Sequence, residues 1–113
     1  MHTGTGLATL KSLGPNAPEG VWGTSSYLFY YPETCANKSF VKNFKDVYNR
    51  YSTSGAIHGY MAAIFIQEAY KKAGSFKTKK FIKALEGMAI DTPVGKVVMR
   101  AYDHQVMLPM YIG

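Results

Sequence analysis

The 113-residue chain is poor in the residues that chemistry usually demands. It has one cysteine, Cys35, so no internal disulfide can form and the redox compartment stays open. No histidine lies near Cys35 in sequence to activate it, which favours a quietly packed thiol over a nucleophile. The three histidines, His2, His58 and His104, stand apart, and the seven acidic residues are scattered. Metal ligands at cluster spacing and paired carboxylates for acid–base work are therefore both missing. Gly4-Thr-Gly6 has neither the strand nor the full glycine pattern of a dinucleotide or phosphate loop. The expectation is a protein that is not an enzyme, with no catalytic residue, no metal and no cofactor. Long apolar runs are lacking as well: the densest, Tyr60–Ile66, falls well short of the ~18 residues of a membrane helix. Met1–Gly6 shows no basic stretch followed by an apolar one, so no signal peptide is expected on this chain.

What is present suits a folded α/β chain. Hydrophobic residues make up 47% and aromatic residues 14%, far above a disordered composition. The length suits one domain with a respectable core. A net charge of +6 raises nucleic acid or acidic membrane surfaces as partners. However, Lys71, Lys72, Lys77, Lys79, Lys80 and Lys83 crowd one helix–loop–helix junction without interleaved stacking aromatics. Lys71 and Lys72 also complement the negative end of a helix dipole. A solvated face is the better reading, and no nucleic-acid partner is expected.

The pattern alternates between helix and strand. Leu7–Leu13 reads as a short helix stopped by Gly14-Pro15, and Gly20–Ser26 as a short strand burying Trp22. After the ring-rich Tyr27–Tyr31 and Pro32, a helix runs from about Thr34 or Asn37 to Tyr51, with Phe40, Phe44, Val47, Tyr48 and Tyr51 in one stripe. The helix from Ser54 to Ala73 is apolar almost all round in its middle (Tyr60, Met61, Ala63 to Ile66), predicting burial on several sides. Ser54 is the candidate cap and Gly74 the stop. A last helix runs from a Thr78 cap to Glu86, burying Phe81, Ile82 and Leu85, and Gly87 follows as a left-handed stop. Asp91-Thr-Pro-Val-Gly95 cannot continue a helix. Lys96–Arg100 and Gln105–Ile112 flank the polar turn Ala101–His104 as two extended runs. The order is α-β-α-α-α-β-β, and so thin a sheet predicts uncovered edges and self-association of the isolated chain.

The closing order, "ALEG…DTPxGxVxxRxxDHQxxxPxYxG", resembles the last segment of the branched-chain amino acid (Leu/Ile/Val-type) binding proteins, the solute receptors of ABC importers. Pro18–Tyr27 looks like that family's "aEGvxGtxxY" strand. Asn37–Val41 with Tyr48–Tyr51 looks like its "NxxFvxxYxxxY" helix, and Ala56–Ala73 like its "aYdAvxlxxxAixkAG" helix. The resemblance covers the chain from about Leu7 onward and orders about a dozen positions in its last stretch. It implies a partial type I periplasmic-binding fold, two α/β lobes closing on a solute. Residues 1–113 would then be a fragment with second-lobe elements at about 1–26 and 95–113 and first-lobe helices at about 33–90. Hinge crossings would lie near 24–32 and 91–95.

By the same resemblance the function is non-enzymatic capture of a branched-chain or related amino acid, or a small amide. The parent would be periplasmic or extracellular and would meet an ABC permease. Tyr27, Phe29, Tyr30, Gly55 and Ala56 are the candidate ligand-binding residues, although Gly55 stands where family members often carry an aromatic. Tyr60 reads as core with a bonded hydroxyl, His58 as a lone surface or core residue, and Asp103-His104 as a structural turn. Two alternatives belong to other classes: a metabolite-sensing regulatory module of the same fold, and a basic nucleic-acid-binding domain.

Overall fold

The computed structural model describes residues 6–113. Along them run α1 (Leu7–Leu13), β1 (Thr24–Ser25), α2 (Cys35–Tyr48), α3 (Ser54–Ala73), α4 (Thr78–Leu85), β2 (Ala89–Thr92), β3 (Gly95–Met99), β4 (Val106–Met107) and β5 (Tyr111–Ile112). The class is the expected mixed α/β. Met1 to Thr5, including His2 and most of Gly4-Thr-Gly6, lie outside the described residues.

Local chemistry sets the helix ends. Thr34 caps α2, its Oγ1 accepting from Asn37 N at 3.1 Å, and Asn49 closes the helix in the left-handed region at φ 51°. Thr53, not Ser54, caps α3, its Oγ1 accepting from Ala56 N at 3.4 Å. Gly74 ends α3 with φ 56° as expected. Thr78 is the first residue of α4 rather than its cap; Lys77 holds that position, and no side chain caps the helix.

The core gathers on one stripe of α3. Ile57, Met61, Phe65 and Ala69, each four residues from the last, are buried against Ala84, Met88, Ile90, Val94 and Val97. The expected burial on several sides is not found: Tyr60 is 45% and Ile66 50% exposed. Apolar positions off that stripe therefore stay only partly covered by the described residues. On α2, Phe40 and Phe44 are half-buried, with the Phe40 ring 4.9 Å from that of Tyr60, while Val47 and Tyr48 are exposed. The buried residue of α2 is polar, Asn37.

Two small antiparallel sheets complete the architecture, one ordered β2-β3-β4 and the other β1-β5. Ile90 pairs with Val97, Val98 with Met107, and Thr24 with Ile112. Segment 91–95 forms the turn of the β2–β3 hairpin. There Thr92 Oγ1 accepts from Val94 N at 3.3 Å and donates to Gly95 O at 2.6 Å, and Gly95 sits at φ 102°. Pro93 is tolerated because the turn asks no ladder hydrogen bond of it. Gly95–Met99 pairs with β2 and buries Val97 in the α3 core. The expected long strand Gln105–Ile112 is divided at Leu108-Pro109-Met110, with β4 in one sheet and β5 in the other.

Trp22, expected to be buried, is 70% exposed. The strand there is only two residues long, extended by reciprocal bonds between Gly23 and Gly113 at 2.6 and 3.2 Å. A two-stranded ribbon offers no layer to cover an indole. The Ala101–His104 turn forms as read: Arg100 N donates to Gln105 O at 2.8 Å, and the Arg100 guanidinium binds Asp103 and Gln105 Oε1.

Candidate functional site

The segment after β1 is anchored by a polar knot. Tyr27 is buried; its hydroxyl donates to Asn37 Oδ1 at 3.2 Å and lies 2.8 Å from Ser52 Oγ. Asn37 Nδ2 in turn donates to the carbonyls of Phe29 at 3.2 Å and Pro32 at 3.0 Å. One amide and two hydroxyls thus tie three chain segments together, and among the described residues no buried side-chain polar atom lacks a partner. Burial pushes the Tyr27 phenol up, and its bond to Ser52 partly offsets this.

Above this knot opens a cleft of about 620 Å³. It is lined by Tyr27, Phe29, Arg50 and Tyr51, by Ser52 to Gly55 leading into α3, and by Gly6, Leu7, Ala8, Lys11 and Ser12 of the α1 region. Phe29 and Tyr51 stack with centroids 4.3 Å apart and planes 20° from parallel. Lys11 Nζ and Lys45 Nζ lie 5.0 and 4.7 Å from the Tyr51 ring centroid. The cleft therefore offers an aromatic surface, hydroxyls from Ser12, Ser52, Thr53 and Ser54, and positive charge. The start of α3, whose backbone N–H groups carry the positive end of a 20-residue helix, opens into it.

The structure brings three of the five expected residues, Tyr27, Phe29 and Gly55, into this one cleft. Ala56 is next to it, and its N–H is already used by the Thr53 cap. Tyr30 is exposed and lines a separate hollow of about 240 Å³ with Leu10, Val21 and Tyr111. Its ring meets Phe29 edge-on at 5.1 Å. Tyr60 lies outside the core, resting on Phe40. His58 Nε2 is 3.1 Å from Ser26 Oγ at the surface. Sequence reasoning missed Asn37, Ser52 and Lys11. Among the described residues no three His, Cys, Asp or Glu side chains come together as a metal site, and no helix is long and apolar enough to cross a membrane.

Four helices and two short antiparallel sheets among the described residues make a mixed α/β architecture, with the cleft at the start of α3. A family model described as periplasmic binding protein matches residues 1–113, and the chain belongs to that family. It is similar to an ABC-type branched-chain amino acid transporter protein from Rhodopseudomonas palustris, with 34% identity and a TM-score of 0.81 over 96% of this chain. An amino acid ABC transporter substrate-binding protein from Pseudomonas fluorescens is 29% identical, with a TM-score of 0.82 over 95% of this chain. An ABC transporter solute-binding protein from Rhodopseudomonas palustris, in complex with 3,4-dihydroxybenzoic acid, is 28% identical, with a TM-score of 0.81 over 91%. The chain spans 29%, 28% and 28% of the length of these three structures, respectively. No curated protein matches the sequence.

Proposed function

We propose that this chain is a segment of the solute-binding component of an ABC importer, capturing a branched-chain or related amino acid, or a small amide, between two lobes without chemical change. The cleft over the Tyr27 knot carries this reading. Phe29 and Tyr51 supply an apolar ring surface. The first turn of α3 at Gly55 supplies backbone donors for a solute carboxylate. Phe29 and Gly55 are assigned as direct contacts, Tyr27 as the residue that fixes Phe29, and Ala56 and Tyr30 as flanking positions. The similarity to a branched-chain amino acid transporter protein supports the solute class. Residues 33–99 would then form one lobe's share and α1 the other's, with crossings near 24–32 and 106–112, where β1 meets β5. The intact protein would work outside the cytoplasmic membrane and deliver its solute to a permease.

One observation favours a second solute class. Stacked rings beside Lys11 and Arg50 also suit an aromatic carboxylate, the type of ligand held by the dihydroxybenzoate-bound relative. Calorimetry on the protein encoded by the whole gene separates the two. Binding of leucine, isoleucine or valine supports the first, and binding of 3,4-dihydroxybenzoate alone moves the assignment to the second. Absence of both, with an effector domain encoded beside this segment, would favour a metabolite-sensing regulator. The 113-residue chain spans under a third of the length of the structures it resembles, so most polar contacts to the solute would come from outside it. Loss of two or three charge-assisted hydrogen bonds, at about 1.5–3 kcal/mol each, leaves no measurable affinity expected for it.

A further inference from the structure

The far end of α3 carries a second surface unrelated to the cleft. Thr53 to Gly55 open into the cleft at the start of α3, and a 20-residue helix is about 30 Å long, so its last turn lies that far away. From Ala69 to Leu85 there are six lysines and no carboxylate. Lys71 pairs with Glu68 at 2.7 Å, and Lys72 Nζ donates to Ala84 O at 3.2 Å. Among the described residues no hydrogen bond or ion pair engages the side chains of Lys77, Lys79, Lys80 and Lys83. Lys79, Lys80 and Lys83 lie within one turn of α4 and are all exposed. In the loop between the helices Phe76 is 90% exposed, yet it is propped rather than loose. Its ring lies 5.4 Å from that of Tyr70, which in turn lies 4.5 Å from Phe81.

We infer that this α3–α4 corner is a docking surface for an anionic lipid leaflet, with Phe76 entering the headgroup–acyl boundary and the lysines spread over the surrounding headgroups. A propped, exposed phenylalanine in a segment carrying six lysines and no carboxylate is the chemistry of interfacial binding. The choice of cation decides against a protein partner. Protein interfaces are enriched in arginine, whose planar fork reads carboxylates bidentately, and depleted in lysine. This corner has six lysines and no arginine, which fits a diffuse field of negative charge rather than a fixed set of acceptors. The inference is independent of the solute reading, since the cleft lies at the other end of α3.

The test is co-sedimentation of the 113-residue chain with vesicles of phosphatidylcholine alone, and of two parts phosphatidylcholine to one part phosphatidylglycerol. Binding is expected only to the mixed vesicles and is released by high salt. The triple variant K79E/K80E/K83E should lower partitioning on the order of 100-fold, and Phe76→Ser about 10-fold. Neither should change the thermal unfolding curve, because all four side chains are exposed. Phe76→Trp in a Trp22→Phe background should shift its emission to shorter wavelength on the mixed vesicles. Equal binding to both vesicle types, undiminished binding by the triple variant or an unshifted F76W emission would each overturn the proposal. So would tighter binding to a single-stranded oligonucleotide or a polyglutamate peptide than to the mixed vesicles.

Discussion

Two regions of this small chain are held together by opposite means. Around the inner stripe of α3, apolar burial does the work: Ile57, Met61, Phe65 and Ala69 meet Val97, Ile90 and Ala84. Around Tyr27, one buried amide and two hydroxyls tie together the backbone of 27–32, the first turn of α2 and the approach to α3. The first kind of region tolerates local slack, because dispersion and transfer energies fall gradually as contacts loosen. The second is close to all-or-none, because an unpaired buried polar group loses its water and its partner together. The cleft is built over the second kind, which suits a site whose walls need fixed positions more than bulk stability.

The sharpest way to break the comparison is on the apolar side. Phe65→Ala should cost about 3–5 kcal/mol and leave no cooperative thermal transition in a chain of this size. Urea titration followed by circular dichroism measures it; a loss under about 1 kcal/mol would mean that the stripe is not the core. Next in size is Asn37→Ala, which strands the carbonyls of Phe29 and Pro32 and removes the acceptor for the Tyr27 hydroxyl. About 2–3 kcal/mol is expected. Unlike Phe65→Ala, it should also loosen 27–32 selectively, which amide hydrogen exchange would register as lost protection there with α3 unaffected.

The same contrast explains what could be read in the chain beforehand. The helices were legible because 3.6-residue periodicity and Gly74, Gly14 and Gly87 mark their course and ends, and the family order fixed the class. The strands were less so. Pro93 and Gly95 signal a break, but that the break is a two-residue hairpin turn shows only in the pairing of β3 with β2. Burial on α3 was over-read because periodicity reports which faces are apolar, not which faces have something to pack against. The knot was illegible because its members lie 10 and 25 residues apart, and no local pattern couples Tyr27 to Asn37 or Ser52.

A smaller effect isolates the hydroxyl of the knot. The Tyr27 phenol is pushed up by burial, so the folded chain holds that proton more tightly than the unfolded one. The stability it contributes is complete below the unfolded value near 10 and is lost as pH rises through the higher folded one. Tyr27→Phe should cost about 1 kcal/mol at neutral pH and flatten the decline in stability above about pH 10. It should not abolish the decline, because burial and the neighbouring Tyr31 also raise Tyr111. An unchanged alkaline slope in Tyr27→Phe would assign the effect to other groups.

The least effect on stability should come from the uncovered flank of α3. Ile66 is half-exposed and lines an apolar groove with Phe81, Leu85, Val106 and Leu108, beside β4, one of the two edge strands of its sheet. Ile66→Ser removes little buried area from the monomer, so its unfolding free energy should move by no more than about 0.5 kcal/mol. Its effect on association should be larger. An open apolar groove next to an unpaired strand edge favours self-association of the isolated chain by edge pairing or hairpin exchange. Light scattering of the unmodified chain should therefore show mass rising with concentration, and Ile66→Ser should bring it back toward 12.5 kDa. A unit mass at every concentration for the unmodified chain would show that the flank is content in water. The contrast between a covered and an uncovered face of α3 would then carry no energetic weight.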